Sequence, residues 1–241
     1  MALTKIETSN VADDAINIAQ LGATGTADAT TFLRGDMAWA AAGGGFNSVQ
    51  VFTTTGTWSK STNTPTKIIV EVISAGGGSG SNSASATSGG AGGSGAYALK
   101  VLDVTDIDTA TVTVGAAGAA ASYISAQPGA VGGVSSFAKL AGSGSFTTVT
   151  CAGGLGGANN DPNTPGGFTA TPTTGDINLA GCSGNVLAHD SNVAGDSKYG
   201  WGGRGHGSSG VGYGVGGTCS SGTYKDGIVG RDGIVIVWEY K

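Results

Sequence analysis

The sequence predicts an all-β protein: a short extended or partly helical N-terminal stem, then a glycine-rich β-sandwich or barrel-like domain with long glycine-rich loops. Three observations carry this. Apolar runs are rich in β-branched residues, and Ala110-Thr111-Val112-Thr113-Val114 alternates at period two. Nearly every run hands over to glycines, at 89–95, 115–133, 153–157 and 181–184. The chain closes in Asp232-Gly233-Ile234-Val235-Ile236-Val237-Trp238-Glu239-Tyr240, which reads as a buried terminal strand.

Composition sets the limits. Leu, Ile, Val and Phe together supply just under a fifth of the 241 residues, a level associated with disorder. The second condition for disorder fails, because charged residues are only 11% and the net charge is -5, so little self-repulsion holds the chain open. The 47 glycines, with abundant Ala, Ser and Thr, account for the shortage of large apolar residues. An ordered but core-poor protein follows, one that buries surface between subunits as well as within one. The acidic balance argues against nucleic acid and anionic membranes as partners. No apolar run is long enough to insert in a membrane as a helix, and Met1-Ala2-Leu3-Thr4-Lys5-Ile6-Glu7 lacks a signal-peptide core.

In chain order, residues 1–45 form a compositionally separate stem and linker. Ser9-Asn10 is placed to cap a short helix over Val11–Ala19, and Ala40-Ala41-Ala42-Gly43-Gly44-Gly45 reads as the linker. From 46 to 241 the pattern is β. Val49–Trp58 and Thr66–Ile73 read as two strands around a Pro65 turn; Ala96–Leu102, Ala110–Val114, Ser135–Ala138 and Phe146–Ala152 follow. Residues 200–217 carry glycine at more than half of their positions, with single Trp, Arg, His, Tyr and Val side chains between. Glycine loses the most backbone entropy on ordering, so such a stretch is ordered only where close backbone approach replaces side-chain packing. An extended helix with three residues per turn permits that approach, and the irregular glycine spacing excludes collagen.

Two patterns carry a resemblance. Phe32-Leu33-Arg34-Gly35-Asp36 with Trp39, ahead of the small-residue linker, resembles stem segments of bacteriophage tail-fibre proteins, as do Leu3–Ile6 and Asn10–Ile16. Met37 stands where such fibres more often have glycine. The succession Phe52-x-x-x-Gly56-x-Trp58, Val70-x-Val72-x-x-Ala75-Gly76-Gly77-Gly78 and Asp232-Gly233-x-Val235-x-Val237-x-Glu239-Tyr240 resembles the glycine-rich domain of phage tail fibres and adhesins. Residues 59–64 depart from it, the family link after the tryptophan being shorter and proline-bearing. The resemblance implies a homotrimer in which Phe32, Leu33, Arg34, Asp36 and Trp39 belong to the trimeric stem. It also implies attachment through the N-terminus to other tail or fibre proteins, a virion location with release by lysis, and a distal head that meets a host-surface glycan or outer-membrane protein.

Candidate chemistry is sparse. His189 and His206 are the only histidines, and no nucleophile elbow, zinc-protease motif or P-loop occurs. Gly205-His206-Gly207-Ser208-Ser209-Gly210 fits a dinucleotide fingerprint but follows no strand and opens no helix. Asp161, Asp176, Asp190 and Asp196 are the loop carboxylates from which a glycoside-cleaving pair would come. Asp190-Ser191-Asn192 begins like a calcium loop and lacks its later ligands, and Arg34-Gly35-Asp36 matches the integrin tripeptide only by its three residues. Cys151, Cys182 and Cys219 form no CxxC pair; isolated thiols, one disulfide or a metal site all remain open. The expectation is a non-enzyme without cofactor or metal. Binding has better candidates: Tyr199, Trp201, Arg204, His206, Tyr213 and Tyr224 are spaced along glycine-rich loops, where rings stack on sugars or proteins and arginine adds paired hydrogen bonds. Filling the end of the sandwich or a subunit interface is the competing role for these aromatics. A structural fibre or baseplate component and a glycan-degrading tailspike are the alternative functions.

Overall fold

Strand β5 shows how the domain is built. Its run Lys67–Ile73 alternates side chains across a sheet, sending Ile68, Val70 and Val72 inward to full burial while Ile69, Glu71 and Ile73 take the other face. A computed structural model describes residues 31–33, 38–41, 44–62, 64–82, 89–125, 127–159, 166, 169, 171–186, 192–205, 207, 208, 210–218 and 225–241. The chain divides into two compact units, residues 1–45 and 46–241.

In the first unit, β1 (Thr31–Leu33) and β2 (Trp39–Ala41) form an antiparallel hairpin with Leu33 opposite Trp39 and Phe32 opposite Ala40. Phe32 is exposed, while Leu33 and Trp39 are half-buried. Arg34, Asp36 and the helix expected near residues 11–19 lie outside the described residues.

The second unit holds β3 (Phe46–Phe52), β4 (Gly56–Ser59), β5, β6 (Tyr97–Asp103), β7 (Ile107–Thr113), β8 (Ser135–Gly142), β9 (Val149–Cys151) and β10 (Ile177–Leu179). It continues through β11 (Asn185–Val186), β12 (Asn192–Val193), β13 (Gly200–Trp201), β14 (Val211–Gly212) and the terminal β15 (Ile234–Tyr240). A five-stranded sheet in the order β10-β6-β5-β15-β3 faces a four-stranded sheet in the order β4-β7-β8-β9, all pairs antiparallel. Between them lies the core, with Trp58, Phe137, Ile107 and the inward valines of β5 and β15. The described residues contain no helix.

The expected strand over Val49–Trp58 is two strands. Thr53–Thr55 turn the chain from one sheet to the other, so that β3 ends the five-stranded sheet while Trp58 on β4 is fully buried in the core. The Trp58 indole N–H donates to Glu239 Oε1 at 2.9 Å, and Gln50 Nε2 and Ser48 Oγ also donate to that fully buried carboxylate. β8 runs longer than expected, and β9 is shorter than the apolar run around it.

Beyond the sheets the strands continue as glycine-rich segments that pack on one another by backbone alone. Successive N–H groups of 75–77 donate to Gly133, Arg231 and Gly93, and those of 78–80 repeat the cycle three residues later on Ala130, Ile228 and Gly90. Their carbonyls accept from Gly154, Gly118 and Gly217, then from Gly157 and Ala121. One segment thus bonds to six neighbours with the period of an extended three-residue helix, and its buried amides are satisfied without a ladder. Of the glycines in these segments only Gly214 has positive φ, so close contact rather than backbone freedom is what selects glycine there. A Cβ on Gly76 would overlap the Val215 carbonyl, and one on Gly157 the Gly90 carbonyl.

Pairing continues outward along the segments, 76 with 118, 79 with 121 and 82 with 225. The lattice therefore extends away from the sheets to a far end. There Asn82 and Lys225 exchange backbone bonds of 2.9 and 3.0 Å, and Tyr123 N donates to Asp226 Oδ1 at 2.8 Å.

Candidate binding surface

A carboxylate on the outer face of a sheet normally reaches water, yet Glu71 is 6% exposed. Desolvating a charge is expensive unless hydrogen bonds replace its hydration. Four donors do so. Tyr97 on β6 and Trp238 on β15 flank it from the neighbouring strands, giving O–H···Oε2 of 2.9 Å and N–H···Oε1 of 3.0 Å. Lys198 Nζ at 3.0 Å and the Tyr199 hydroxyl at 2.7 Å come from the segment that returns over the sheet just before β13. Burial pushes the Glu71 carboxyl up, but the bonds from Tyr199, Lys198, Tyr97 and Trp238 outweigh it and hold it below the ordinary 4.5. Burial, and then the Glu71 carboxylate, push the Tyr199 phenol up to about 12, and they raise Tyr97 as well. Lys198 also sits over the Tyr97 ring, 4.1 Å from its centroid.

This cluster pins a hairpin to the sheet. Gly200 pairs with Gly212 and Trp201 with Val211, and Gly212 has φ of 94°, where a side chain would also meet the Tyr199 carbonyl. Beneath the hairpin, Tyr213 packs on Ile73, Tyr97 and Ile234, with its carbonyl accepting from Ser197 Oγ. On top, Trp201 is 75% and Val211 76% exposed. Together with Lys198, Tyr199, Gly200 and Gly212 they line an open groove of about 500 Å3.

Four of the six expected binding residues therefore meet at one hairpin, in different roles. Trp201 is presented outward, Tyr199 is half spent on Glu71, and Tyr213 is packing. Arg204 lies 3.7 Å from Asp196 in an exposed pair that contributes little. His206 and Tyr224 lie outside the described residues. Glu71, Tyr97, Lys198 and Trp238 were not among the expected residues; a lone glutamate inside Ile68-Ile69-Val70-Glu71-Val72-Ile73 was the available signal.

Two of the four candidate carboxylates and two of the three thiols lie among the described residues. Asp176 bonds Lys100 at 2.7 Å and Val101 N at 2.9 Å, and Asp196 accepts from Gly202 N at 2.6 Å. Asp161 and Asp190 lie outside the described residues, as do His189 and Cys219. Cys151 is a buried free thiol whose Sγ donates to the Val72 carbonyl; burial pushes it up to about 12, which makes it inert. Cys182 is free and exposed.

No curated protein matches the chain. A family model described as a glycine-rich domain matches residues 52–240, a span running from the end of β3 through the lattice to the terminal strand, and by that match the chain belongs to the glycine-rich domain family.

Proposed function

We propose that this protein is a non-enzymatic adhesin of a bacteriophage tail fibre, a homotrimer that joins the particle through its stem and meets the host surface with its glycine-rich head. The observation that carries the reading is the presentation of Trp201 and Val211 on a hairpin anchored through Tyr199 and Lys198 to a saturated carboxylate. Such an anchor lets exposed apolar side chains bind with little ordering cost. The fibre-like pattern from Phe32 to Trp39 supports the stem assignment. An outer-membrane protein or a surface glycan fits an exposed indole with an exposed arginine three residues further along the chain.

The test is binding of fluorescently labelled full-length protein to a panel of bacterial strains, beside Trp201→Ala and Arg204→Ala. Saturable binding to one strain that falls at least roughly tenfold in Trp201→Ala is expected, an interface tryptophan being a frequent hot spot. A folded protein that binds no strain would instead favour a structural fibre or baseplate component, and release of reducing ends from host polysaccharide a tailspike enzyme.

A further inference from the structure

The hairpin of β13 and β14 is tied to the sheet at one place. Among the described residues, every hydrogen bond that leaves residues 197–201 or 211–213 for the rest of the molecule ends on Glu71 or Tyr97, and all come from Lys198 Nζ and the Tyr199 hydroxyl. The remaining bonds of these residues stay within the hairpin: the β13–β14 pairing, Ser197 N to the Gly200 carbonyl, Tyr213 N to the Tyr199 carbonyl, and Ser197 Oγ to the Tyr213 carbonyl. Its turn end is held separately, with Gly203 accepting from Ala194 N and Gly210 from Arg231 Nε. Gly195 and Gly214 fix the chain to the lattice on either side, through Gly92 and Asp232. Gly212 and Gly214, both at positive φ, are the joints at which such a body turns.

We propose that Glu71 is an acid-operated latch: as a carboxylate it holds the hairpin on the sheet with Trp201 and Val211 presented, and on taking up a proton it releases the hairpin and weakens binding. This rests on the adhesin reading above and names how that surface is regulated.

The donors around Glu71 make the latch sensitive to one proton. Oε2 accepts from Tyr97, Lys198 and Tyr199, and Oε1 from Trp238. A proton added to Oε2 meets three donors. The two phenols can turn to accept it, but an ammonium has no acceptor to offer. A proton on Oε1 instead meets the Trp238 indole, which also only donates. Either way the charge that held Lys198 is gone, and a lysine side chain already 37% exposed has water to move into.

No other charge replaces it. Tyr97 and Tyr199 stay protonated throughout the acid range, being raised rather than lowered, and Trp238 does not titrate. Lys100 and Glu239, on the strands flanking β5, belong to the opposite face of the sheet. Asp196 is the other described carboxylate bonded to the hairpin segment, accepting from Gly202 N beside Arg204. Because the folded Glu71 carboxyl titrates below 4.5, the latch is closed at neutral pH and opens as pH falls through the folded value.

Methyl NMR of the full-length chain from about pH 6 to about pH 3 tests this. The methyls of Ile73 and Ile234, packed with Tyr213, report docking of the hairpin, and that of Ile107 in the core reports global folding. Ile73 and Ile234 should shift together along one curve with its midpoint below 4.5 while Ile107 stays in place. Glu71→Gln should show the acid positions already at pH 6 and no titration, whereas Asp196→Asn should titrate like the unmodified chain. Should Glu71→Gln misfold, Lys198→Met decides: without the cation, burial of the carboxyl is less compensated and the midpoint should rise by about one pH unit or more. Methyls that never move, that move only with Ile107, that titrate unchanged in Glu71→Gln or Lys198→Met, or that cease to titrate in Asp196→Asn overturn the proposal. Cell binding should weaken at least roughly tenfold at pH 3, as when about nine-tenths of the hairpins are released, and equal binding at both pH values overturns the regulatory role. A chain that binds no strain at pH 6 but shows the methyl titration removes the adhesin alone; one that binds and shows no titration removes the latch alone.

Discussion

The sandwich and the glycine lattice of the second unit solve the same problem with opposite materials. In the sandwich, Trp58, Phe137 and the inward valines fill the space between two sheets, and the backbone polar groups are paired along ladders. In the lattice, backbones touch, side chains point away, and each amide bonds to a different neighbour in a three-residue cycle. Stability therefore fails in opposite directions. Removing atoms damages the sandwich by opening a cavity, and adding a single carbon damages the lattice by forcing segments apart.

That contrast can be broken most directly by pairing Phe137→Ala with Gly76→Ala. The first should cost about 4 kcal/mol, as for other buried aromatics. The second adds only a methyl, yet the new carbon overlaps Val215 and sits 2.7 Å from Gly216 N, so a loss of about 3 kcal/mol or more is expected. Gly45→Ala, with nothing within 4 Å of its Cβ, should stay within about 0.5 kcal/mol. Chemical denaturation checks all three, and a Gly76→Ala variant as stable as Gly45→Ala would remove the distinction between the two regions.

A smaller effect concerns the two carboxylates that each accept a tryptophan N–H. Glu71→Gln removes the charged acceptor from all four donors and should cost about 2 to 3 kcal/mol. Glu71 also makes stability depend on pH. Because its folded pKa lies below 4.5, the unfolded chain binds the extra proton first, so this contribution is complete above 4.5 and lost as pH falls through the folded value. Denaturation midpoints between pH 5 and pH 3 should fall more steeply for the unmodified protein than for Glu71→Gln. On the sandwich side, Trp58→Phe keeps a ring in the core and removes one donor to Glu239, for about 1 to 2 kcal/mol in the same assay.

The mildest change is Tyr199→Phe, which takes away one bond and leaves the ring, for about 1 kcal/mol. Its spectroscopic counterpart is sharper. Ultraviolet titration should find a phenol ionising near 12 in the unmodified protein that is missing in Tyr199→Phe and shifted downward in Glu71→Gln.

Much of the sandwich was legible because the β-branched and aromatic runs at Lys67–Ile73 and Ile234–Tyr240, and the period-two alternation of Ala110–Val114, mark strands. The break between β3 and β4 was not, since Thr53, Thr54 and Thr55 are good strand formers and only the partner sheets require a turn there. The paired glycine strands β13 and β14 were equally hidden, as two-residue strands leave no periodicity to read. Trp201, Arg204 and Tyr213 were picked out as side chains isolated among glycines. Sequence spacing carries no information on which of them faces water, and Tyr213 turned out to be packing.

What the sequence determined by itself was the strand material, the glycine content and the scarcity of charge. From these an ordered, all-β, core-poor domain follows, because too few large apolar residues remain for anything but backbone to fill the space. Tertiary structure alone decided which backbones meet, since every glycine offers the same N–H and C=O and only three-dimensional register assigns Gly76 to Arg231 or Gly77 to Gly93. It also decided that Glu71 is buried rather than solvated. Lys198 and Tyr199 stand 127 and 128 residues away along the chain, and no local pattern records a contact made at that distance.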